Sequence, residues 1–240
     1  MLETYLKERR KEKGILLMTH IVAGYPDWDA CFDMVAAMVD AGVDLMELQI
    51  PFSEPIADGP VILKANQDAL ERGVTVARCL EFGREVARRH DIPFLYMTYY
   101  NILFRHGVES FVKGMAAAGI RGAIVPDLPP EEGEPYLAAM ADHGCHPIFI
   151  FSATTSEERL RYLSSFASGF VYCVARKGVT GMNTSFSEDL EDYLARCRAA
   201  TDLPLALGFG VKEKADIDFL KGKVDIAVIA QPRVIESRDD

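Results

Sequence analysis

The chain of 240 residues is poor in cysteine, short of positive charge and without a long hydrophobic run. Its five cysteines, Cys31, Cys79, Cys145, Cys173 and Cys197, are odd in number and widely spaced, and they form no Cys-x-x-Cys pair. That argues against a disulfide framework and for free buried thiols in a reducing compartment. No apolar run reaches the ~18 residues that a membrane helix needs. The N-terminal stretch carries Glu3, Lys7, Arg9, Arg10, Lys11, Glu12 and Lys13 and has no signal-peptide core. A cytoplasmic location is therefore expected. Lysine plus arginine number 26 against 36 aspartates and glutamates, a formal net charge of −10. A surface of that sign excludes nucleic acid and anionic membrane as general partners. It does not exclude an anionic metabolite, because backbone N–H groups and helix N-termini bind phosphate without net positive charge. Also absent are a low-complexity segment, a linker and a dinucleotide fingerprint after the first strand.

What is present is a regular alternation. Hydrophobic residues make up 49% of the chain, enough for a sizeable core. Residues 2–12 read as a short amphipathic helix that Gly14 ends. Strand-like apolar runs follow at Ile15–Val22, Val43–Ile50, Pro93–Met97, Arg121–Val125, His146–Phe151, Gly169–Val174, Leu203–Leu207 and Val224–Ile229. Helical stretches lie between them, at 28–41 behind an Asp27 N-cap, 61–71, 76–90, 107–117, 130–142, from near Ser156, 187–199 and 212–221. Eight β-then-α units in a chain of this length match a (β/α)₈ TIM barrel, of which ~250 residues is typical. A doubly wound open sheet is the alternative. One domain over residues 1–240 is expected. Only eleven residues follow Ile229, so an abbreviated last helix is expected as well.

In such a barrel the chemistry sits at the carboxyl ends of the strands. Glu47 lies near the end of the second run, among Leu45, Met46, Leu48 and Ile50. Apolar surroundings raise a carboxyl pKa toward working pH, which suits a general acid/base, although a buried Glu satisfied by a basic neighbour has the same signature. Asp58 follows in an Ala-Asp-Gly-Pro turn, where Asp is common, but the loop lies over the mouth that Glu47 faces. The glycine-bearing loops Arg176-Lys177-Gly178-Val179-Thr180-Gly181 and Gly208-Phe209-Gly210 sit where barrels of this class cradle phosphate through backbone N–H groups. His143 and His146 are placed for the opposite face and lack a fourth ligand, so no metal site is expected. His20, in the first strand, reads as a hydrogen-bonded core histidine.

These blocks, above all Glu47-Leu48 followed by Pro51-Phe52-Ser53-Glu54-Pro55-Ile56-Ala57-Asp58-Gly59-Pro60, resemble the tryptophan synthase α subunit family. Met97-Thr98-Tyr99-Tyr100-Asn101, Ile124-Val125-Pro126-Asp127-Leu128-Pro129-Pro130-Glu131-Glu132, Ser168-Gly169-Phe170-Val171-Tyr172, Gly178-Val179-Thr180-Gly181 and Gly208-Phe209-Gly210 continue the likeness in order, over nearly the whole chain. The resemblance implies a barrel lyase that cleaves indole-3-glycerol phosphate to indole and glyceraldehyde 3-phosphate. It implies no cofactor of its own, and a partner β subunit that carries pyridoxal phosphate. On this likeness Glu47 is the acid/base and Asp58 the carboxylate that accepts the indole N–H. Tyr172, Thr180, Phe209 and Tyr100 are pocket and loop residues, and Gly181 and Gly210 are phosphate-binding backbone positions.

The chain departs from the family pattern at several places. Gln49 stands where the family usually has Gly, two residues from Glu47 and on the same side of a strand, within reach of the proposed base. Ile102 stands for a frequent Pro. Glu54 replaces an Asp, and Ala175 and Lys177 replace Ser and Ala. Ala230-Gln231-Pro232 occupies the place of a Gly-Ser pair whose N–H groups hold phosphate, and Pro232 has no N–H to give. These changes leave open a catalytically weak paralogue kept as a binding or regulatory subunit, or a barrel lyase acting on a different phosphate ester.

Overall fold

Each strand of the barrel starts as a short apolar segment between two turns, and its inward and outward faces alternate strictly. The structure is a computed structural model that describes residues 2–56, 58–174, 188–208 and 214–230. The strands are β1 (Leu16–Val22), β2 (Leu45–Gln49), β3 (Phe94–Met97), β4 (Gly122–Ile124), β5 (His146–Ile148), β6 (Ile150–Ser152), β7 (Val171–Val174), β8 (Leu205–Gly208) and β9 (Ile226–Ala230). The helices are α1 (Leu2–Glu12), α2 (Trp28–Asp40), α3 (Pro60–Glu71), α4 (Val76–Arg89), α5 (Tyr100–His106), α6 (Val108–Ala117), α7 (Glu134–Asp142), α8 (Glu157–Ser164), α9 (Glu188–Ala200) and α10 (Lys214–Leu220).

All strand pairings are parallel, in the order β5-β4-β3-β2-β1-β9-β8-β7-β6. The two ends of that order, β5 and β6, are separated in the chain by Phe149 alone. They are one strand position interrupted at a single residue, so the nine segments make the eight positions of a (β/α)₈ barrel, and the open sheet is set aside. The expected helix over 107–117 is joined by one that the sequence reading left out, α5. The expected helix over 130–142 is split into a short 3₁₀ turn at Pro130–Glu132 and α7. Asp27 caps α2 as expected, its Oδ1 accepting from the Ala30 N–H at 2.8 Å. Ser156 caps α8 in the same way. The stretch read as an abbreviated last helix lies outside the described residues, as do Thr180, Gly181, Phe209, Gly210, Gln231 and Pro232.

Alternation sorts the core into layers. Leu16 and Met18 of β1, Leu45 of β2, Leu95 and Met97 of β3, Ile124 of β4, Ala206 of β8 and Ile226 and Val228 of β9 pack together inside the barrel. Leu2 and Leu6 of α1 join this cluster, so the N-terminal helix plugs the bottom. The outward residues form two further layers. Helices α2, α4, α6 and α7 cover the β2–β4 side, and α8, α9 and α10 cover the β7–β9 side. With the bottom sealed by α1, the upper inward positions are left to form an open hollow.

Candidate active site

Two steps up from Leu16 along β1, past Met18, the inward position is His20. On β2 the inward series Leu45, Glu47, Gln49 runs beside it, with His20 directly opposite Glu47 in the pairing. Both lie in the upper half of the barrel, at the carboxyl end of their strands. Together with Asp58 and Gly59 from the β2–α3 loop, Ile62 of α3, Met97, Ile124, Ile150, Tyr172 and Val174, they line a partly open hollow. Both sequence-predicted acids thus open onto the same space. The rest of the wall is mostly aliphatic.

Glu47 is 3% exposed. Its Oε1 lies 2.8 Å from His20 Nδ1 and accepts a longer hydrogen bond, 3.4 Å, from the Tyr172 hydroxyl. Its Oε2 has no hydrogen-bond partner among the described residues, and neither does His20 Nε2. Burial by itself lowers the His20 pKa, but the bond to Glu47 and the negative charges of Glu47 and Asp58 outweigh it and hold the imidazole above its ordinary value. The Tyr172 phenol is pushed well above its ordinary value, by burial first and then by the charge of Glu47. It therefore stays protonated and acts as a donor. Gly208, on the neighbouring β8, makes room for that ring, since a Cβ there would overlap it.

Asp58 is held by two amides on one oxygen. Gln49 Nε2 donates to its Oδ2 at 2.7 Å and Asn66 Nδ2 donates to the same atom at 3.3 Å. Asn66 is itself fixed, donating to the Ile62 carbonyl at 2.9 Å and accepting from the Phe52 N–H at 3.1 Å. Gln49 thus bonds Asp58, not Glu47 as its strand position suggested. It sits two residues, roughly 6.6 Å, farther up the strand than Glu47, level with the loop that carries Asp58.

The other sequence-predicted residues fare differently. Tyr100 does not line the hollow. It opens α5, and its backbone N–H donates to both Asp127 carboxylate oxygens, at 2.8 and 3.1 Å. The predicted phosphate-side residues lie outside the described segments. Of the tempting histidines, His143 pairs with Glu109 at 2.7 Å and His146 with Ser168 at 3.0 Å. Two site residues escaped the sequence reading. Asn66 carried no signal there. His20 was read as a hydrogen-bonded core residue, and it is buried and bonded, but its place in the inward series Leu16, Met18, His20 puts it beside the acid.

The arrangement offers a desolvated carboxyl, a second carboxylate held by amides, and a largely aliphatic wall. Known proteins resemble the chain throughout. The family model for the tryptophan synthase alpha chain matches residues 6–237. A tryptophan synthase alpha chain of Syntrophotalea carbinolica is 62% identical over 234 residues, covering 98% of this chain and 92% of the relative. One from Desulforapulum autotrophicum is 63% identical, covering 99% and 95%. Among solved structures, Mycobacterium tuberculosis tryptophan synthase superposes with a TM-score of 0.88 at 32% identity, covering 95% of this chain and 88% of that one. The Pyrococcus furiosus structure superposes with a TM-score of 0.84 at 30% identity, covering 90% and 87%. With the site assembled on a barrel matched over almost its whole length, the chain belongs to the tryptophan synthase alpha chain family.

Proposed function

We infer that this chain is the lyase that cleaves indole-3-glycerol phosphate to indole and glyceraldehyde 3-phosphate, the α reaction of L-tryptophan biosynthesis. The observation that carries this reading is the opening of Glu47 and Asp58 onto one largely aliphatic hollow. The retro-aldol step needs a proton delivered to indole C3 and a proton removed from the glycerol hydroxyl as the carbon–carbon bond breaks. Glu47 is assigned both transfers. Asp58 accepts the ring N–H and stabilises the positive charge that develops on the ring once C3 is protonated. The aliphatic wall of Met97, Ile124, Ile150 and Val174 excludes water around the ring. Tyr172 donates to Glu47 and restrains its carboxyl. Thr180 and Phe209 are assigned to the pocket, and Gly181 and Gly210 to the phosphate, on family resemblance; Tyr100, which lies away from the hollow, is given no part in it.

No cofactor is assigned to this step, which uses side chains alone. The Pyrococcus furiosus relative is described as a tryptophan synthase α2β2 complex. We assign this chain the same kind of partner, a β subunit holding pyridoxal phosphate. A cytoplasmic location is supported by five buried free cysteines. Among the described residues, no helix is long and apolar enough to cross a membrane.

The test is direct: purified protein, alone and with a β subunit, is mixed with indole-3-glycerol phosphate and indole release is followed. Glu47→Gln is expected to lower kcat by about 10²–10⁴-fold, the range of a lost general acid/base. A wild-type protein that releases no indole even with the β subunit overturns the function. A Glu47→Gln protein that keeps its rate overturns the assignment of the acid.

A further inference from the structure

The chemistry above gives no task to the group nearest Glu47. His20 Nδ1 is 2.8 Å from Glu47 Oε1, and the two residues are 5% and 3% exposed. An imidazole and a carboxyl buried at this distance titrate together. The charged pair and the neutral pair differ only by one proton moved along the bond.

Resting on the function proposed above, we propose that His20 and Glu47 form a single proton-holding unit. His20 is its positioning residue: it fixes Oε1, leaves Oε2 as the working oxygen, and shares the proton that the pair gives and takes back. The balance closes within the pair. The singly protonated pair gives one proton to indole C3. It takes one from the glycerol hydroxyl as the carbon–carbon bond breaks and the aldehyde forms, and so ends the turnover as it began.

Two observations favour this over a merely structural pair. First, Glu47 Oε2 is buried in the wall of the hollow and is engaged by neither His20 nor Tyr172, which both bond Oε1. A pair kept only for stability has no need to gather both donors on one oxygen and leave the other free at the wall of the hollow. Second, the surroundings of His20 are acidic. The other titratable groups lining the hollow among the described residues are Glu47 from β2, Asp58 from the β2–α3 loop and Tyr172 from β7. The bond to Glu47 and the charges of Glu47 and Asp58 favour the imidazolium and hold His20 above its ordinary value despite its burial.

NMR titration of the His20 ring in the whole chain needs no substrate. In the wild type it is expected to titrate above the ordinary ~6.5, and in Glu47→Gln about one pH unit or more lower, because burial then acts with less opposition. Identical titration in the two proteins overturns the proposal. In the indole-release assay, His20→Asn keeps an N–H donor but carries no titrating proton. Its alkaline loss of kcat is expected to begin about one pH unit earlier than in the wild type, a tenfold deficit on that limb. His20→Phe loses the donor too and is expected to lower kcat at every pH, with His20→Asn restoring the plateau. Superimposable pH profiles for wild type and His20→Asn overturn the proposal. A wild type that releases no indole defeats the function, and the NMR titration then still decides the pairing.

Discussion

At the scale of single residues, the two acids are escorted by different chemistry. Glu47 is met by a titrating imidazole, Asp58 by two neutral amides. Two amide donors hold the Asp58 carboxylate in place without adding a compensating charge, which suits a group meant to stabilise a cationic ring. Because Gln49 and Asn66 both grip Oδ2, they fix the carboxylate plane and leave Oδ1 outside that grip. Gln49→Ala removes the shorter of the two bonds. A hydrogen bond to a charged group contributes about 1.5–3 kcal/mol. Asn66 remains, so kcat/KM for indole-3-glycerol phosphate is expected to fall about tenfold, the lower part of that range. Steady-state kinetics would check this, and an unchanged kcat/KM would show that Asn66 alone suffices. The two acids were legible in the sequence because a carboxylate inside an apolar run, or beside it on a proline-rich loop, contradicts its surroundings. Their escorts were not. A histidine in a strand and an asparagine in a helix contradict nothing, and only the β1–β2 register and the fold of α3 bring them to the acids.

At the scale of elements, the strand order and nearly every helix could be read from periodicity, since inward and outward faces alternate without exception along the strands. The missed helix has a long-range cause. The helix α5 follows directly on β3 in a Thr-Tyr-Tyr-Asn stretch with no capping side chain of its own; its first N–H is satisfied by Asp127, 27 residues away. A long-range cap leaves no mark in the local sequence. The plug helix α1 was visible as a helix, but not its docking site. That site is Asp44, wholly buried at the start of β2. It receives Arg9 at 3.1 Å, Lys13 at 2.7 Å and the Leu17 N–H at 2.9 Å, and its carbonyl accepts from the Tyr5 hydroxyl at 2.8 Å. Asp44→Ala would strand the Leu17 N–H in the interior, at about 1–3 kcal/mol. Arg9 and Lys13 are each about one-third exposed and are rehydrated, so their loss adds little. An unfolding free energy lowered by that amount in a urea titration, with indole release retained at low denaturant, is the expected outcome. No loss of stability would mean that the remaining contacts of α1, apolar through Leu2 and Leu6 and polar through Glu3, Tyr5 and Arg10, carry its docking.

At the scale of the whole molecule, the question is whether a barrel with two separate outer layers unfolds as one. The cysteines make this measurable. Cys31, Cys79 and Cys145 lie in the layer over β2–β4, whereas Cys173 and Cys197 lie in the layer over β7–β9. All five are free and buried. Burial pushes the Cys31 thiol up to about 11 and the Cys79 thiol to about 12. Cys197 is lowered by its hydrogen bond with Cys173, but it too is closed off from solvent. The thiolate is the reactive form, so alkylation at pH 8 should be slow at every site until the thiol is exposed. The two outer layers share no residue, yet the interior cluster binds them together, because Leu45 and Leu95 from one side and Phe170, Ala206 and Ile226 from the other pack in it with Leu2 and Leu6. No half of the barrel can open without exposing that shared interior. The five thiols are therefore expected to become reactive over one common urea transition, read by mass spectrometry of each labelled peptide. If Cys173 and Cys197 reacted at clearly lower urea than Cys31, Cys79 and Cys145, the break at Phe149 would mark a boundary between two independently unfolding halves, and the interior cluster would not couple them.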